Sequence, residues 1–553
     1  MFLEYSARVA RALQEKTGEN DPCLVDGGGH GDLASTIAFA LAKRERTSPV
    51  RVAALLAKDL GASPHLAGIE VTAAGPYLNF VFGEGYLHDS IREAVKPGYG
   101  TLPAREGRVV IEHTSANPNG PLHVGHIRNT IIGDCLARAF RKAGYRVETH
   151  YYVNDMGRQI AIVVWAVDRY GEGNPGEKGD DRIARAYIAA NRELEGRPDA
   201  LPEIDRLMQM VEAGDPEVAR KFRSAVTTCL DGIKKSLSDL GVSHDRFIWE
   251  SDFVRNGDVG RVLARVRRLD EYRKDETVRL DLSAMGFGKP YILMRSDGTT
   301  VYATRDVAYH IWKARNFSRI IDVLGADHKL IGAQLASTLG LLGETPPTIV
   351  HFEFVSLPEG SMSTRQGKFV SADALMAEVA ARAFDEVTSR RTELDEISRR
   401  AIARAVSIAA IRYDMVKISP EKAMVFDWKE ALDFERQSGP YIQYAHARAC
   451  SILERAGPFA EAFEFRDPRE IALAKAIARF PAVLEQVTVE LRPHLLASYV
   501  HELANLWSTL YQHLPVLKSE GRTRESRLTL VSATENTLKE ALLTLGIDAL
   551  STM

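Results

Sequence analysis

Apolar positions along the 553 residues change period several times, and those changes divide the chain. The first hundred residues mix amphipathic helical spacing with strand-like runs such as Ile69–Ala73 and Tyr77–Phe82. They end in the turn-rich Lys96-Pro-Gly-Tyr-Gly-Thr-Leu-Pro103, which predicts a separate α+β module over 1–103. Arg108–His113 then reads as a buried strand, a Pro/Gly loop follows, and Val124–Ala143 carries helical spacing that closes at Gly144. A second strand pattern covers Arg146–Tyr152. Strand, crossover helix and strand form the βαβ unit of a parallel sheet, whose ligand site lies at the carboxyl ends of the strands. From Gly171 to about Arg273 the pattern turns polar and helical, and strand patterns return only near Val278. Apolar, β-branched runs at Arg319–Leu324 and Thr348–Phe354 supply the second half of the sheet. Beyond Asp373 nearly every apolar position keeps helical spacing. The predicted fold is therefore a Rossmann-like α/β domain over 104–375 with a helical insertion at about 171–273. A helical connector over 376–437 and an all-α domain over 438–553 follow it.

Composition narrows the class without naming a function. An apolar fraction of 45% and a charged fraction of 26% are globular values, and 553 residues exceed what one hydrophobic core sustains. The longest charge-free runs, such as Ile160–Val167, fall far short of the roughly 20 residues of a spanning helix. Residues 1–20 carry Glu4, Arg8, Arg11, Glu15, Lys16 and Glu19, unlike a signal or transit peptide, so a cytoplasmic protein with no membrane partner is expected. Cys23, Cys135, Cys229 and Cys450 are scattered without C-x-x-C or zinc-like spacing, so neither disulfides nor a zinc or other metal site is expected. A net charge of -3 does not announce a nucleic-acid partner, although a local basic stripe on an acidic background remains compatible with one.

Candidate chemistry concentrates at Pro121-Leu-His-Val-Gly-His126, where the first strand pattern feeds the first helix. Backbone N–H groups and the helix dipole favour phosphate at such a point. His123 and His126, three apart at a helix start, can both donate to charge building on an α-phosphate, while Gly125 lets an adenine ring approach the backbone. With 15 His and 41 Gly in the chain, chance would supply H-x-G-H only about 0.03 times. Pro121, Leu122, His123, Val124, Gly125 and His126 are thus the candidate ATP-binding residues, with the two histidines as catalytic groups.

Glu112-His-Thr-Ser-Ala-Asn-Pro-Asn-Gly-Pro-Leu-His-Val-Gly-His-Ile-Arg-Asn-Thr-Ile-Ile-Gly-Asp134 resembles the first signature of arginyl-tRNA synthetases throughout its length. Tyr151-Tyr-Val-Asn-Asp-Met-Gly-Arg-Gln159 and Asp297–Trp312 are similar to the same family, a branch of the class I aminoacyl-tRNA synthetases. The resemblance implies ATP-dependent ligation of L-arginine to tRNA(Arg) through an arginyl-adenylate, with Mg²⁺ carried on ATP and no zinc or organic cofactor. It also implies that Glu112, Asn117, Tyr302 and Asp306 line the arginine pocket; Asp327 and His328, after the Arg319 strand, occupy a similar strand end within reach of arginine or adenosine, and Asp327 is counted with the arginine-binding candidates. An isolated Asp or Glu is ordinarily a solvated charge and a Tyr ordinarily packs in a core, so the resemblance rather than spacing singles these out. The chemistry agrees, because a guanidinium presents a planar fork of donors that carboxylates satisfy.

Ser361-Met-Ser-Thr-Arg-Gln-Gly-Lys368 resembles the second, KMSKS-type signature, with Met362 and Ser363 expected at ATP. Ser361 and Thr364 stand where lysines are usual, which leaves Arg365 and Lys368 as the cations for departing pyrophosphate. Ser438-Gly-Pro-Tyr-Ile-Gln-Tyr-Ala-His-Ala-Arg-Ala-Cys-Ser-Ile-Leu453 resembles the opening of the helical anticodon-binding domain. From Tyr441 to Met553 there are 12 Lys/Arg against 13 Asp/Glu, so an RNA face there must be local. Tyr441, Tyr444, Trp507 and Tyr511 are available to stack on bases, though core packing is the expected fate of most. Residues 26–82 resemble the family's N-terminal module, and its glycine run lacks G-K-[ST] and reads as a turn. A monomer is expected. The rival readings are a synthetase for another amino acid, a non-catalytic tRNA-binding relative and a small-metabolite adenylyltransferase.

Overall fold

The computed structural model describes residues 1–358 and 370–553, apart from the Pro198 side chain. Its N-terminal module packs helices Phe2–Thr17, Ile37–Glu45 and Pro49–Leu60 on a four-stranded antiparallel sheet. The glycine run turns the chain between the first two strands of that sheet. Gly28 and Gly29 have φ of 55° and 83°, and a Cβ on Gly27 would lie 2.1 Å from the Gly31 carbonyl oxygen. Only glycine meets both demands without strain.

The central domain is built from β1 (Arg108–Glu112), α1 (Val124–Lys142), β2 (Arg146–Val153), α2 (Leu201–Glu212), β3 (Arg246–Trp249), α3 (Tyr302–Asn316), β4 (Arg319–Gly325) and β5 (Thr348–Phe352). Its five strands are parallel in the order β5-β4-β1-β2-β3. β1 is buried on both faces from Val109 onward, as its unbroken apolar run requires. The strand order reverses between β1 and β4, so the crevice beyond their carboxyl ends is the topological switch point. Register places Glu112 beside Asp322 on one side and beside His150 on the other.

Two boundaries differ from the sequence pattern. The helical insertion runs through Gly179–Gly196, α2 and Pro216–Asp239, and the chain rejoins the parallel sheet at Arg246, well before Arg273. Four residues are too short to display a strand period, and pairing with β2 makes Arg246–Trp249 a strand. Helix α3 likewise starts at Tyr302, although in the sequence a strand pattern passes into helical spacing only at Val307 to Lys313, because the polar first turn Tyr-Ala-Thr-Arg-Asp masks the apolar stripe behind it.

Helices Ala372–Arg390 and Glu396–Val416 lead to α4 (Gly439–Ala456), helix Pro468–Glu490, α5 (His494–His513) and α6 (Gly521–Thr544). Two buried arginines tie this bundle to the sheet domain. The Arg412 guanidinium pairs with Asp134 of α1 and donates to the carbonyls of Leu545 and Leu240, both at 2.9 Å. Arg128 of α1 donates to the carbonyls of Glu353, Lys422 and Ser419 at 2.6, 2.9 and 3.2 Å. Both therefore fix α1 against distant segments through charge-assisted hydrogen bonds. No helix among the described residues is long and apolar enough to cross a membrane.

Candidate active site

Helix α1 starts in the switch-point crevice, and its first turn is closed by its own histidines. The His126 amide donates to His123 Nδ1 at 3.4 Å, and the His123 amide donates to His126 Nδ1 at 3.3 Å. This reciprocal cap also fixes the tautomers, since an Nδ1 that accepts carries its proton on Nε2. The rings stack with centroids 3.6 Å apart. Burial lowers the pKa of His123, and burial with the neighbouring His123 lowers that of His126 to about 3. Two neutral imidazoles with Nε2–H donors thus face a helix N-terminus, an arrangement suited to phosphate oxygens. A Cβ on Gly125 would come within 2.9 Å of His123 Cε1, so glycine keeps that wall of the crevice thin. Pro121, Leu122 and Val124 complete the turn, Leu122 and Val124 as fully buried packing groups.

The loop leaving β1 is strained. Thr114 and Ser115 have φ of 71° and 37°, unusual for any residue and most of all for a β-branched one. The Thr114 amide donates to Asn129 Oδ1 at 2.7 Å, and Asn129 Nδ2 donates to the Val323 carbonyl at 3.0 Å. One α1 side chain therefore stitches the ends of β1 and β4 together. The crevice, about 480 Å³, is lined by Asn117, His123, His126, Asp327, His328 and Phe354 among others.

Beside it lies a chain of buried charge. Lys313 Nζ donates to Glu112 Oε2 at 2.6 Å and to Asp322 Oδ1 at 2.7 Å. His310 Nε2 meets Asp322 Oδ2 at 2.7 Å, and its Nδ1 lies 3.0 Å from Asp306 Oδ1. Burial and Lys313 act to lower the His310 pKa, but Asp306 and Asp322 prevail and raise it to about 10. Burial pushes the Glu112 carboxyl up against the pull of Lys313, while Lys313 and His310 together outweigh burial at Asp322 and hold it low. Ser115 Oγ donates to Glu112 Oε1 at 3.1 Å. Asn117 is exposed and donates to Gln159 at 2.9 Å. Tyr302 is half exposed on the first turn of α3.

Three family descriptions match along the chain: "Arginyl tRNA synthetase N terminal domain" over 4–82, "tRNA synthetases class I (R), catalytic domain" over 95–428, and "DALR anticodon binding domain" over 442–553. The chain is 61% identical to an arginine–tRNA ligase of Methanoregula boonei, with all of both chains covered. The chain belongs to the arginyl-tRNA synthetase family. It is also 46% identical to the Archaeoglobus fulgidus arginine–tRNA ligase over the full length of both. The Thermus thermophilus arginyl-tRNA synthetase structure superposes with a TM-score of 0.88 at 30% identity, covering 99% of each chain. A class I parallel-sheet domain between an N-terminal module and a helical C-terminal domain is thus the family fold, as the sequence predicts.

In this synthetase the first signature gathers at one crevice. Met362, Ser363, Arg365 and Lys368 lie outside the described residues. The chain re-enters beside the first signature, for Ser371 pairs with His123 and the Ala372 amide donates to the Leu122 carbonyl at 2.7 Å. Sequence reading passed over His310, Lys313 and Asp322, although Asp306, His310 and Lys313 share one face of α3 at helical spacing. It also passed over Arg305, whose Nη1 lies 3.2 Å from the buried Glu250, and Glu212 of the insertion. The Glu212 carboxylate accepts from the Thr300 amide at 2.7 Å, which braces the turn ahead of Tyr302 from the insertion side. Far from the crevice, α4 and α6 bring together His446, Cys450 and Glu535, which no spacing pattern announced. His446 Nε2 is 3.1 Å from Glu535 and its Nδ1 donates to the Leu550 carbonyl at 2.8 Å, an arrangement that an imidazolium satisfies.

The four C-terminal aromatics divide evenly. Trp507 is fully buried and donates to the Ala445 carbonyl at 3.0 Å, and Tyr441 is tied to Asn505 at 2.7 Å. Tyr444 and Tyr511 are exposed and flank the Arg448 guanidinium at 4.7 and 4.6 Å. Tyr441, Tyr444 and Arg448 border a cleft of about 810 Å³ that also presents Arg390, Arg391 and Met553.

Proposed function

We propose that this arginine–tRNA ligase divides its chemistry between the two walls of the switch-point crevice. In the first step an arginine carboxylate oxygen attacks the α-phosphorus of ATP, the bond to the β-phosphate bridge breaks, and pyrophosphate leaves. His123 and His126 donate Nε2–H to the α-phosphate oxygens as negative charge builds there. Mg²⁺ enters with ATP as part of the substrate. Arg365 or Lys368 receives the pyrophosphate, a role supported by the pairing of nearby Ser371 with His123. In the second step the 2′-hydroxyl of the terminal tRNA adenosine attacks the arginyl carbonyl, and AMP departs. No protein nucleophile is involved, so rate acceleration comes from positioning and preorganised donors.

Glu112, Asn117, Tyr302, Asp306 and Asp327 receive arginine, Asp327 from just past the end of β4, where it lines the crevice. The observation that carries this reading is the ionic chain Glu112–Lys313–Asp322–His310–Asp306 adjoining the histidine-capped helix. The Tyr444–Arg448–Tyr511 wall offers π faces and a cation to an unpaired tRNA base, and a monomer in the cytoplasm completes the proposal. ATP–pyrophosphate exchange across amino acids, with and without tRNA(Arg), tests it. Exchange is expected with arginine alone among the amino acids. Exchange driven by another amino acid would overturn the substrate assignment, and absence of exchange under every condition would favour a binding-only relative.

A further inference from the structure

The carboxylates assigned to arginine do not stand alone, and their partners are arranged as a closed series. Parallel register sets Glu112, the last residue of β1, beside Asp322 in the middle of β4. Helix α3 crosses above them with Asp306, His310 and Lys313 on one face, so its two cations alternate with three carboxylates. Glu112, His310 and Asp322 offer atoms spaced closely enough to hold a metal ion, but the Lys313 ammonium sits 2.6 and 2.7 Å from two of them and supplies the positive charge instead. Exposure is lowest in the middle of the series and highest at Asp306. The Lys313, Asp322 and His310 side chains are 0%, 3% and 4% exposed, Glu112 is 9%, and Asp306 at the mouth is 27%.

Three carboxylates against two cations leave the series one negative charge over, and its most exposed member is Asp306. A second observation points to a polar ligand. The hydroxyls of Tyr291 and Tyr152 are buried without a hydrogen-bond partner among the described residues. Burial first, and then the charge of Asp306, keeps the Tyr291 proton in place, and Tyr152 is likewise held by burial with Glu250, Asp306 and Glu112 nearby. Buried unpartnered hydroxyls are costly unless a ligand completes them.

We propose that His310, Lys313 and Asp322 are positioning residues that set selectivity for a monocation, by leaving one uncompensated negative charge at Asp306 for the substrate guanidinium to neutralise. This rests on the arginine-pocket reading above. A neutral ligand of the same shape leaves that charge and the hydroxyls unanswered, and a site built for a polar group rejects the analogue that lacks it.

The test pairs the unaltered enzyme with one variant. In the unaltered enzyme L-citrulline, the neutral urea counterpart of arginine, is expected to compete with arginine in pyrophosphate exchange at least roughly a thousandfold more weakly. Competition within tenfold of arginine would overturn the proposal. Asp322→Asn makes the series neutral without touching the pocket. It is expected to raise the KM for arginine roughly tenfold or more while the KM for ATP stays constant. An unchanged arginine KM, or parallel loss for arginine and ATP, would overturn it too. Failure of arginine to drive exchange in the unaltered enzyme would instead sink the pocket reading itself.

Discussion

The two walls of the crevice solve the same problem, placing polar groups in a half-dry cleft, by opposite means. On the nucleotide wall, His123 and His126 are neutral, held by backbone amides of their own helix turn within three residues. On the arginine wall a buried chain of charges leads, and its partners come from β1, β4 and α3, up to 201 residues apart. A helix N-terminus already carries positive potential, so neutral donors suffice for an anionic substrate there. A cationic substrate beside Tyr302 and Asp306 meets the positive end of α3 instead, which the backbone makes unfavourable. Its countercharge must come from carboxylates, and those require partners to be buried at all.

Removing a donor from the nucleotide wall is expected to have the largest effect. His126→Ala should lower the rate of adenylate formation on the order of a hundredfold or more, as loss of one preorganised donor does elsewhere. Its affinity for tRNA should change less than about twofold. Equal losses in both would make His126 a structural cap, and the contrast between the walls would fail. On the other wall, Asp306→Asn should raise the KM for arginine by roughly ten- to a hundredfold, the worth of one charge-assisted contact. The KM for ATP should hold, and a matching rise there would mean that the walls are not independent.

The smallest expected effect is in stability against pH. Burial lowers His244 and His150 to about 4, so folding binds them neutral whereas the unfolded chain protonates them near their ordinary value. Their contribution is complete above roughly pH 6.5 and is lost progressively as pH falls toward 4. His310 runs the other way. Its pKa is raised to about 10, so its contribution is complete below roughly pH 6.5 and fades as pH rises toward 10. Thermal melts should therefore peak near neutrality. His310→Gln should flatten the alkaline limb and leave the acid limb, and loss of the acid limb instead would misassign the two sets of histidines.

Local chemistry was legible wherever it closes on itself. The strand–helix entry at His123 can be read from Pro121 to Gly144, because cap, dipole and apolar spacing all lie within one segment. The turn at Gly27–Gly31 was legible for the same reason. The Arg246–Trp249 strand was not, since it has four residues and gains its identity only by pairing with β2. His310 and Lys313 carried a partial signal through their spacing from Asp306, but a helix face shows only that residues share a side, not what they face.

By itself, then, the sequence determined the order of elements, the histidine-capped helix start and, through long signature matches, the family. Only the tertiary structure decided which charges meet. Register between β1 and β4 sets Glu112 against Asp322, the crossing of α3 lowers Lys313 between them, and the bundle anchors α1 through Arg412 and Arg128. The reason is physical: hydrogen bonds that cap a helix act within one turn, whereas the energy of a buried charge depends on every group packed around it, wherever in the chain that group lies.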